Sequence, residues 1–540
     1  MIPILFGITI IFPFLYKYSF VITNQFSQIP IILSFMNNNY LINDWYVNSG
    51  RDFGPRTIFA WYMAQTAKVI SLPGTFFLHY LLYIFLIIYS SFRLSYLLFK
   101  NKFIALITSL TILFGTSITL GGNILVSNDF SAPQLPLGLS LLGIVLIIEK
   151  KYLLSAVIFA ITSYLHPHFG FEGAVLFYGI TIIIMIKSKG KIQNLITRTF
   201  LPYFLFTLPV IVLYTKEVLS NSVSGIDKLN ILAYMRNSHH YVPSTWTIYN
   251  YVQFIVFLSI FVLIIIFFKK RFKSFLLNFF LLSTLVIIIL CFLGFFFTEI
   301  YPLYFITALQ PFRLTLYLYW IGIIIIIGTS LSLALEKKYI YSPLLLIPIF
   351  ISNLRPPNLT SKTHFLAFLI ACFLIIFFYK IPKKIFILFL LAYYSLFRYH
   401  DIFNFSSYIY FPTEETNLAL WAKANTPPDS VFLIPPKFEK FRLIANRAIV
   451  VDWKAFPFQE KAMLEWAKRI CTIGNIPNCN FRYITMQKVI DGYYEEKAEQ
   501  ILKLRQKYNF NYFISDRYYP ELPSIYNNRH YVYTFPDKTD

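Results

Sequence analysis

Charge is what this sequence has least of. Only 13% of its 540 residues are Asp, Glu, Lys or Arg, against roughly 25% in an ordinary soluble domain. With 57% hydrophobic residues and a mean hydropathy of +0.60, the chain cannot form a water-soluble globule, and the membrane is its main solvent. Acids are the scarcer half: 25 Asp and Glu against 47 Lys and Arg leave a net charge of +22. In a soluble protein that excess would point to nucleic acid. Here the basic residues stand in short bursts between apolar runs, as membrane topology requires, so no nucleic-acid partner is expected.

Cysteine is nearly as rare, with four in the chain. Cys291 and Cys372 lie inside apolar runs, where a small, weakly polar side chain is an ordinary packing choice. Cys471 and Cys479 are close in sequence and, by the topology below, face an oxidising compartment, which leaves a disulfide and two free thiols both open. The first segment, MIPILFGITIIFPFLYKYSF, lacks a basic leader and a small-residue cleavage site, so it reads as a retained helix. No lipid-anchor motif and no internal repeat is visible.

Thirteen apolar stretches are present, near 2–21, 76–99, 103–120, 135–148, 153–165, 173–186, 200–214, 251–268, 275–297, 313–335, 340–352, 365–379 and 385–396. Several fall short of the roughly 20 residues that span a bilayer, so they extend into flanking aromatic and polar residues or are tilted or broken. Orientation follows from the loops that carry Lys and Arg. Alternate loops hold Lys100 and Lys102; Lys150 and Lys151; Lys187, Lys189, Lys191 and Arg198; Lys269, Lys270, Arg271 and Lys273; Lys337 and Lys338; and Lys380, Lys383 and Lys384. These are assigned to the cytoplasm. The first loop (23–75), the region around Asp129, the HPHFGFEG turn and the loop 215–250 are then outside, as is the carboxy terminus.

Composition changes after Tyr399 to the mixture of a soluble domain. TNLALWAKANTPPDSVFLIPP reads as a helix, a Pro-Pro turn and a buried strand from Val431 to Ile434. ANRAIVVDW reads as a second strand, 460–471 and 495–508 as amphipathic helices, and 511–515 as a third strand. The expected fold is an all-α polytopic membrane domain of about thirteen transmembrane helices, residues 1–400, followed by a small extracytoplasmic α/β domain, residues 401–540.

Candidate chemistry gathers on the outer side. The first outer loop carries Asp44 and Asp52 among aromatic and amide residues, and its QIPIILSF suits a helix lying on the membrane surface. The two acids read either as groups facing a lipid-borne substrate or as solvated or capping residues. Asp129, in GGNILVSNDFSAPQLP, is a second acid or an Asx-turn residue. HPHFGFEG places His166, His168 and Glu172 at the outer junction of two short helices, where ionisable groups are costly. They suit hydrogen bonding to a substrate better than metal ligation, because no fourth ligand is defined. Arg313, after QPF, would clamp a lipid phosphate or snorkel to the interface. The loop 215–250 adds Lys216, Arg236, His239, His240 and Trp246, a set suited to sugar or phosphate. Arg447, Asp452 and Arg469 in the outer domain read as packing or surface residues.

Asn43-Asp44 in a long first outer loop, Asn128-Asp129 in the second, many helices and an outer carboxy-terminal domain together resemble the GT-C superfamily of membrane glycosyltransferases. That superfamily includes oligosaccharyltransferase catalytic subunits, protein mannosyltransferases and aminoarabinose transferases. NDWYV, the HP turn, LQPFR and LALWAKANTPPDSVFLIPP look like those of an uncharacterised bacterial GT-C-like group. The resemblance implies inverting transfer of a sugar from a polyprenyl-phosphate donor to an acceptor at the outer face of a bacterial inner membrane. It gives Asp44, or by another alignment Asp52, the role of base, with Asp129 assisting. Arg313 or the stretch Arg236 to His240 would neutralise the leaving phosphate. The Asp-x-Asp of metal-dependent members is missing, so no cofactor is expected. A flippase for a lipid-linked glycan and an inactive scaffold are the competing readings; the ionisable residues cluster at outer helix ends rather than at the midplane, which favours the enzyme.

The orientation has a direct test by cysteine labelling in a background without native cysteines. In intact cells Ser244→Cys is expected to react with an impermeant maleimide and Lys270→Cys only after permeabilisation; the opposite pattern would invert the topology.

Overall fold

A long run of apolar residues in lipid satisfies its backbone N–H and C=O groups by coiling into a helix. The structure, a computed structural model, describes residues 1–114, 119–190, 192–219, 223–336, 338, 413–527 and 529–535. Ten of the thirteen apolar stretches lie wholly or mainly in this part, and each contains a helix. Among the described residues six helices are long and apolar enough to cross a membrane: Leu72–Phe99, His168–Lys187, Ile192–Glu217, Ile248–Phe267, Ser274–Ile300 and Tyr304–Leu335. The other four stretches hold shorter helices: Ile2–Leu15, Lys102–Phe114, Gln134–Ile148 and Tyr152–Leu165. At 13 to 15 residues they fall below a full span. The expected stretches 340–352, 365–379 and 385–396, and the domain boundary near 400, lie outside the described residues.

The helices meet at tight turns. Lys100, Lys150 and Lys189 each take a positive φ, of 53°, 61° and 51°, so the chain reverses at a basic residue at three turns on the same side. Arg93 grips Glu149 there, and Arg271 holds Glu336 through two nitrogens at 2.5 and 2.6 Å.

Two segments differ from their sequence reading. The helix Gln25–Met36, which contains QIPIILSF, does not lie apolar face down on the membrane. Phe26, Ile29 and Ile32 are buried in the protein core with Phe59 and Met63 of the helix Thr57–Ile70. Gln25 Nε2–H donates to Phe130 O at 2.7 Å and Gln28 Oε1 accepts from Ala132 N at 3.2 Å, so its polar side chains zip the first outer loop to the second. The loop 215–250 is likewise not open. A helix at Gly225–Leu229 runs into a π-helical turn at Asn230–Arg236, and a short helix Ser238–Tyr241 follows. Ile231, Met235 and Tyr241 sit in the same apolar cluster as Trp453 and Trp466 of the outer domain.

The carboxy-terminal domain, termed the outer domain after its expected orientation, is a five-stranded sheet flanked by helices among the described residues. The strands are β1 Val431–Leu433, β2 Ala448–Ile449, β3 Tyr512–Ser515, β4 Ser524–Asn527 and β5 Tyr531–Thr534, in the order β2-β1-β3-β5-β4. β1 pairs in parallel with β2 and β3, whereas β5 is antiparallel to β3 and β4. The strand expected over ANRAIVVDW shrinks to two residues; past its end Arg469 donates to Val450 O, and on the strand itself Asp44 accepts from Ile449 N. The helix expected at 495–508 begins at Ala498, where the Gln500 side chain accepts from Lys497 N at 2.7 Å and caps the start. Cys471 and Cys479 form a disulfide with Cα atoms 5.9 Å apart.

The two parts of the chain are tied by buried charge. Asp44 Oδ1 caps the short helix Trp45–Ser49 by accepting from Val47 N at 2.9 Å, and Oδ2 accepts from Arg442 Nε at 2.8 Å and Ile449 N at 3.0 Å. Arg442 Nη1 donates to Asp452 Oδ2 at 2.6 Å, and its guanidinium stacks 4.9 Å from the Tyr46 ring. All three charged side chains are at most 1% exposed. Burial alone would lower the Arg442 pKa, and Asp44 and Asp452 together raise it above its ordinary value.

Removing one member of such a triad leaves an uncompensated buried charge. Arg442→Ala is therefore expected to destabilise the protein by about 3 to 5 kcal/mol, read from thermal unfolding followed by tryptophan fluorescence. A loss no larger than that of a surface arginine would contradict the triad.

Candidate functional site

Arg56 ends the turn RDFGPR and precedes the helix Thr57–Ile70. Its side chain makes no hydrogen bond to any described residue; its guanidinium lies over the Phe458 ring, 4.2 Å from the centroid. Burial, and beyond it the charges of Arg313 and Arg236, push the Arg56 pKa down to about 10. Arg313 stands at the start of the last described span. Its Nη1 donates to His166 Nε2 at 3.2 Å, and its Cζ lies 5.5 Å from the Phe169 ring centre. A guanidinium only donates, so His166 Nε2 accepts and the His166 proton sits on Nδ1. That Nδ1 and Arg313 Nε are both buried without a partner. Arg236 ends the π-helical turn; its Nη2 reaches Lys454 O at 3.4 Å, and its Nε is buried without a partner. Burial lowers the pKa of both Arg236 and Lys454.

These groups surround one region beneath the outer domain. Arg56 feels Arg313 and Arg236, and Lys454 feels Arg236 and Arg56. The acids that answer them are Glu439, whose pKa burial raises, Asp452 of the triad, and Glu172, which is hydrogen-bonded to His168. A small cleft of about 20 Å³, room for little more than a water molecule, lies beside Arg56 between the first outer loop and the segment Phe456 to Gln459, with Ile31, Tyr46 and Phe458 in its walls. His240 packs against the same region: its Nδ1–H donates to Gly121 O at 2.5 Å, and Gly121 takes a φ of +69°. A Cβ at Gly121 would lie 3.1 Å from His240 O, so a glycine is needed for both the backbone angle and the close approach. His239 is exposed beside His240, the ring centres 3.9 Å apart.

The sequence-derived candidates divide. His166, Arg236, His240 and Arg313 meet in this region, and His168 with Glu172 borders it. Asp44, expected as the base, is enclosed in the triad, its oxygens taken by Val47 N, Ile449 N and Arg442. Asp129 is also nearly buried and accepts from Thr23 Oγ1 at 3.0 Å and from the Ser127 hydroxyl. The two acids share no partner. Asp52 is exposed, and its backbone carbonyl accepts from Gln459 Nε2 at 3.0 Å and Thr57 Oγ1 at 2.7 Å. Lys216 lies apart, exposed on the helix Leu201–Leu219. Among the described residues no three His, Cys, Asp or Glu side chains gather as metal ligands. Arg56, Lys454 and Glu439 are absent from the sequence reading. Arg56 carries a signal all the same, as a basic residue kept in an outer loop where such residues are disfavoured.

A family model described as a domain of unknown function, DUF6798, matches residues 413–473. That stretch supplies Arg442, Asp452 and Lys454. No curated protein compared with the chain matches it. Among solved structures, the chain is similar to the Archaeoglobus fulgidus oligosaccharyltransferase, crystallised tethered to an acceptor peptide with an NVT sequon. The match has a TM-score of 0.49 and 13% identity, over 95% of this chain and 68% of that one.

His240 provides a pH test of the site's dryness. Burial lowers its pKa from 6.5 to about 3. Between those values the unfolded chain binds the proton and the folded one does not, so stability is full above pH 6.5 and falls as pH drops through that window. His240→Gln is expected to flatten this acid limb in a thermal-unfolding series; an unchanged slope would show that His240 does not contribute it.

Proposed function

We propose that the protein is a membrane glycosyltransferase that uses a sugar carried on a lipid phosphate, and that Arg56, Arg236 and Arg313 hold the phosphate. One observation carries the reading. Three arginines stand around one region with most of their donors unspent: Arg56 has no hydrogen-bond acceptor among the described residues, and the Nε atoms of Arg236 and Arg313 are buried and unpartnered. Buried donors without acceptors cost stability, and buried like charges repel, so the arrangement is suited to a ligand that brings several anionic oxygens. A phosphate does this, and the apolar helices around the site offer lipid-facing surface for its chain. Lys454 and the Nδ1–H of His166 add donors at the rim.

Glycosyl transfer from such a donor breaks the bond between the anomeric carbon and a phosphate oxygen, and negative charge grows on that oxygen. Guanidinium groups fixed beforehand by Phe458, Phe169 and the Lys454 carbonyl stabilise it without reorganising. Attack from the face opposite the phosphate would invert the anomeric centre. Asp44 then acts as a positioning residue through Arg442, and the outer domain faces away from the cytoplasm of a bacterial plasma membrane, in line with the distribution of Lys and Arg. A polyprenyl phosphate is the proposed carrier, and the resemblance to GT-C proteins supports the same reaction class.

The full-length protein in lipid nanodiscs, titrated with undecaprenyl phosphate and followed by native mass spectrometry, tests the site. Arg56→Ala, Arg236→Ala and Arg313→Ala are each expected to weaken binding roughly tenfold or more, while Asp52→Ala leaves it unchanged. Equal affinity in all three arginine variants, or no binding by the wild type, would overturn the proposal.

A further inference from the structure

The chain turns at His166-Pro167-His168 between the helices Tyr152–Leu165 and Gly173–Lys187 through a π-helical turn, His168–Glu172. Such turns widen the helix by one residue and are frequent at functional sites. This one is locked in place: a Cβ on Gly170 would lie 2.2 Å from Ser163 Cα, so the turn is pressed directly against the preceding helix. The widened turn sets His168 and Glu172 together, with Nδ1 and Oε1 2.5 Å apart. Both side chains keep some exposure, 23% and 13%, unlike the enclosed Asp44 and Asp129.

The carboxylate accepts, so His168 Nδ1 donates and Nε2 is the ring nitrogen left to take another proton. The pair is an imidazole whose tautomer and orientation are set by a carboxylate, the arrangement that makes histidine a proton acceptor. It also lies next to the phosphate site. The His168 and His166 ring centres are 5.4 Å apart, and His166 bonds Arg313.

We infer that His168, oriented by Glu172, is the general base that takes the proton from the acceptor. The inference rests on the phosphate site proposed above. In the step, a lone pair of the acceptor's oxygen or nitrogen forms the bond to the anomeric carbon. The bond from that carbon to the phosphate oxygen breaks, and its electron pair leaves with the phosphate, held by Arg313. The acceptor's proton passes to His168 Nε2, and the imidazolium formed is balanced by Glu172. With Asp44 and Asp129 committed to protein donors, this pair is a partly exposed base beside Arg313.

The charged and titratable groups that face the pair are His166, Arg313, Tyr241 and Tyr317, with Arg56 beyond His166. The test follows His168 itself. Full-length protein in nanodiscs is treated with diethyl pyrocarbonate, which acylates neutral imidazole, between about pH 5 and 9, and His168 modification is measured by peptide mass spectrometry with and without undecaprenyl phosphate. His168 is expected to react through its open Nε2 and to be protected roughly tenfold by lipid at ten times its Kd. Glu172→Gln is expected to slow His168 modification severalfold, because the amide neither holds the ring as firmly nor adds to its basicity as the carboxylate does. Lipid binding without protection of His168, an unreactive His168, or an unchanged modification rate in Glu172→Gln would overturn the assignment and leave the phosphate site standing. Absence of lipid binding would remove both.

Discussion

The structure depends on one buried exchange of charge, that of Arg442 with Asp44 and Asp452. Two carboxylates and a guanidinium out of water cost several kcal/mol each, and only close, well-directed contacts offset that cost. The contacts are available only when the first outer loop and the outer domain are in register. Everything near the arginine cluster follows from that register: Phe458 beneath Arg56, Lys454 O against Arg236, and Arg469 stacked 4.5 Å from the Trp45 ring. Lys228 and Glu460, 2.8 Å apart, repeat the tie at a second point. Hydrophobic contact between loop and domain would hold them together; the triad fixes how they meet.

Arg442 and Arg56 show the same side chain in two opposite accounts. Arg442 spends Nε and Nη1 on carboxylates, and its charge is held more firmly than in water. Arg56 spends none of its donors on described residues, and its charged form is disfavoured. A protein gains no stability from the second arrangement. Its retention is the physical ground for placing a ligand there, whereas the buried acids near it, however suggestive in sequence, are already satisfied.

Much of the membrane part was legible in the sequence because lipid leaves few choices: each described apolar run is a helix. The outer domain was legible where periodicity was clear, as at Glu460–Ile473, and illegible where distant side chains intervene. β2 ends where Arg469, from elsewhere in the chain, takes Val450 O, and β4 and β5 were passed over although Pro523 and Asn527-Asn528 punctuate them. Of the candidate residues, the histidines and arginines stood out as ionisable groups at outer helix ends, and they do converge. Asp44 misled because its exposure was inferred from its loop; what decides its environment is Arg442, 398 positions away. Arg56 was passed over in the shadow of Asp52 in the same loop.

That separation has a consequence for how the molecule comes into being. At roughly 5 to 20 residues per second, Asp44 emerges from the ribosome some 20 to 80 seconds before Arg442. For that interval the first outer loop lacks its counter-ion, and the arginine that completes it belongs to almost the last fifth of the chain. The loop and the cluster around Arg56 therefore reach their final arrangement only after the intervening helices have been inserted, so a truncated or stalled product never assembles the region that would handle a substrate.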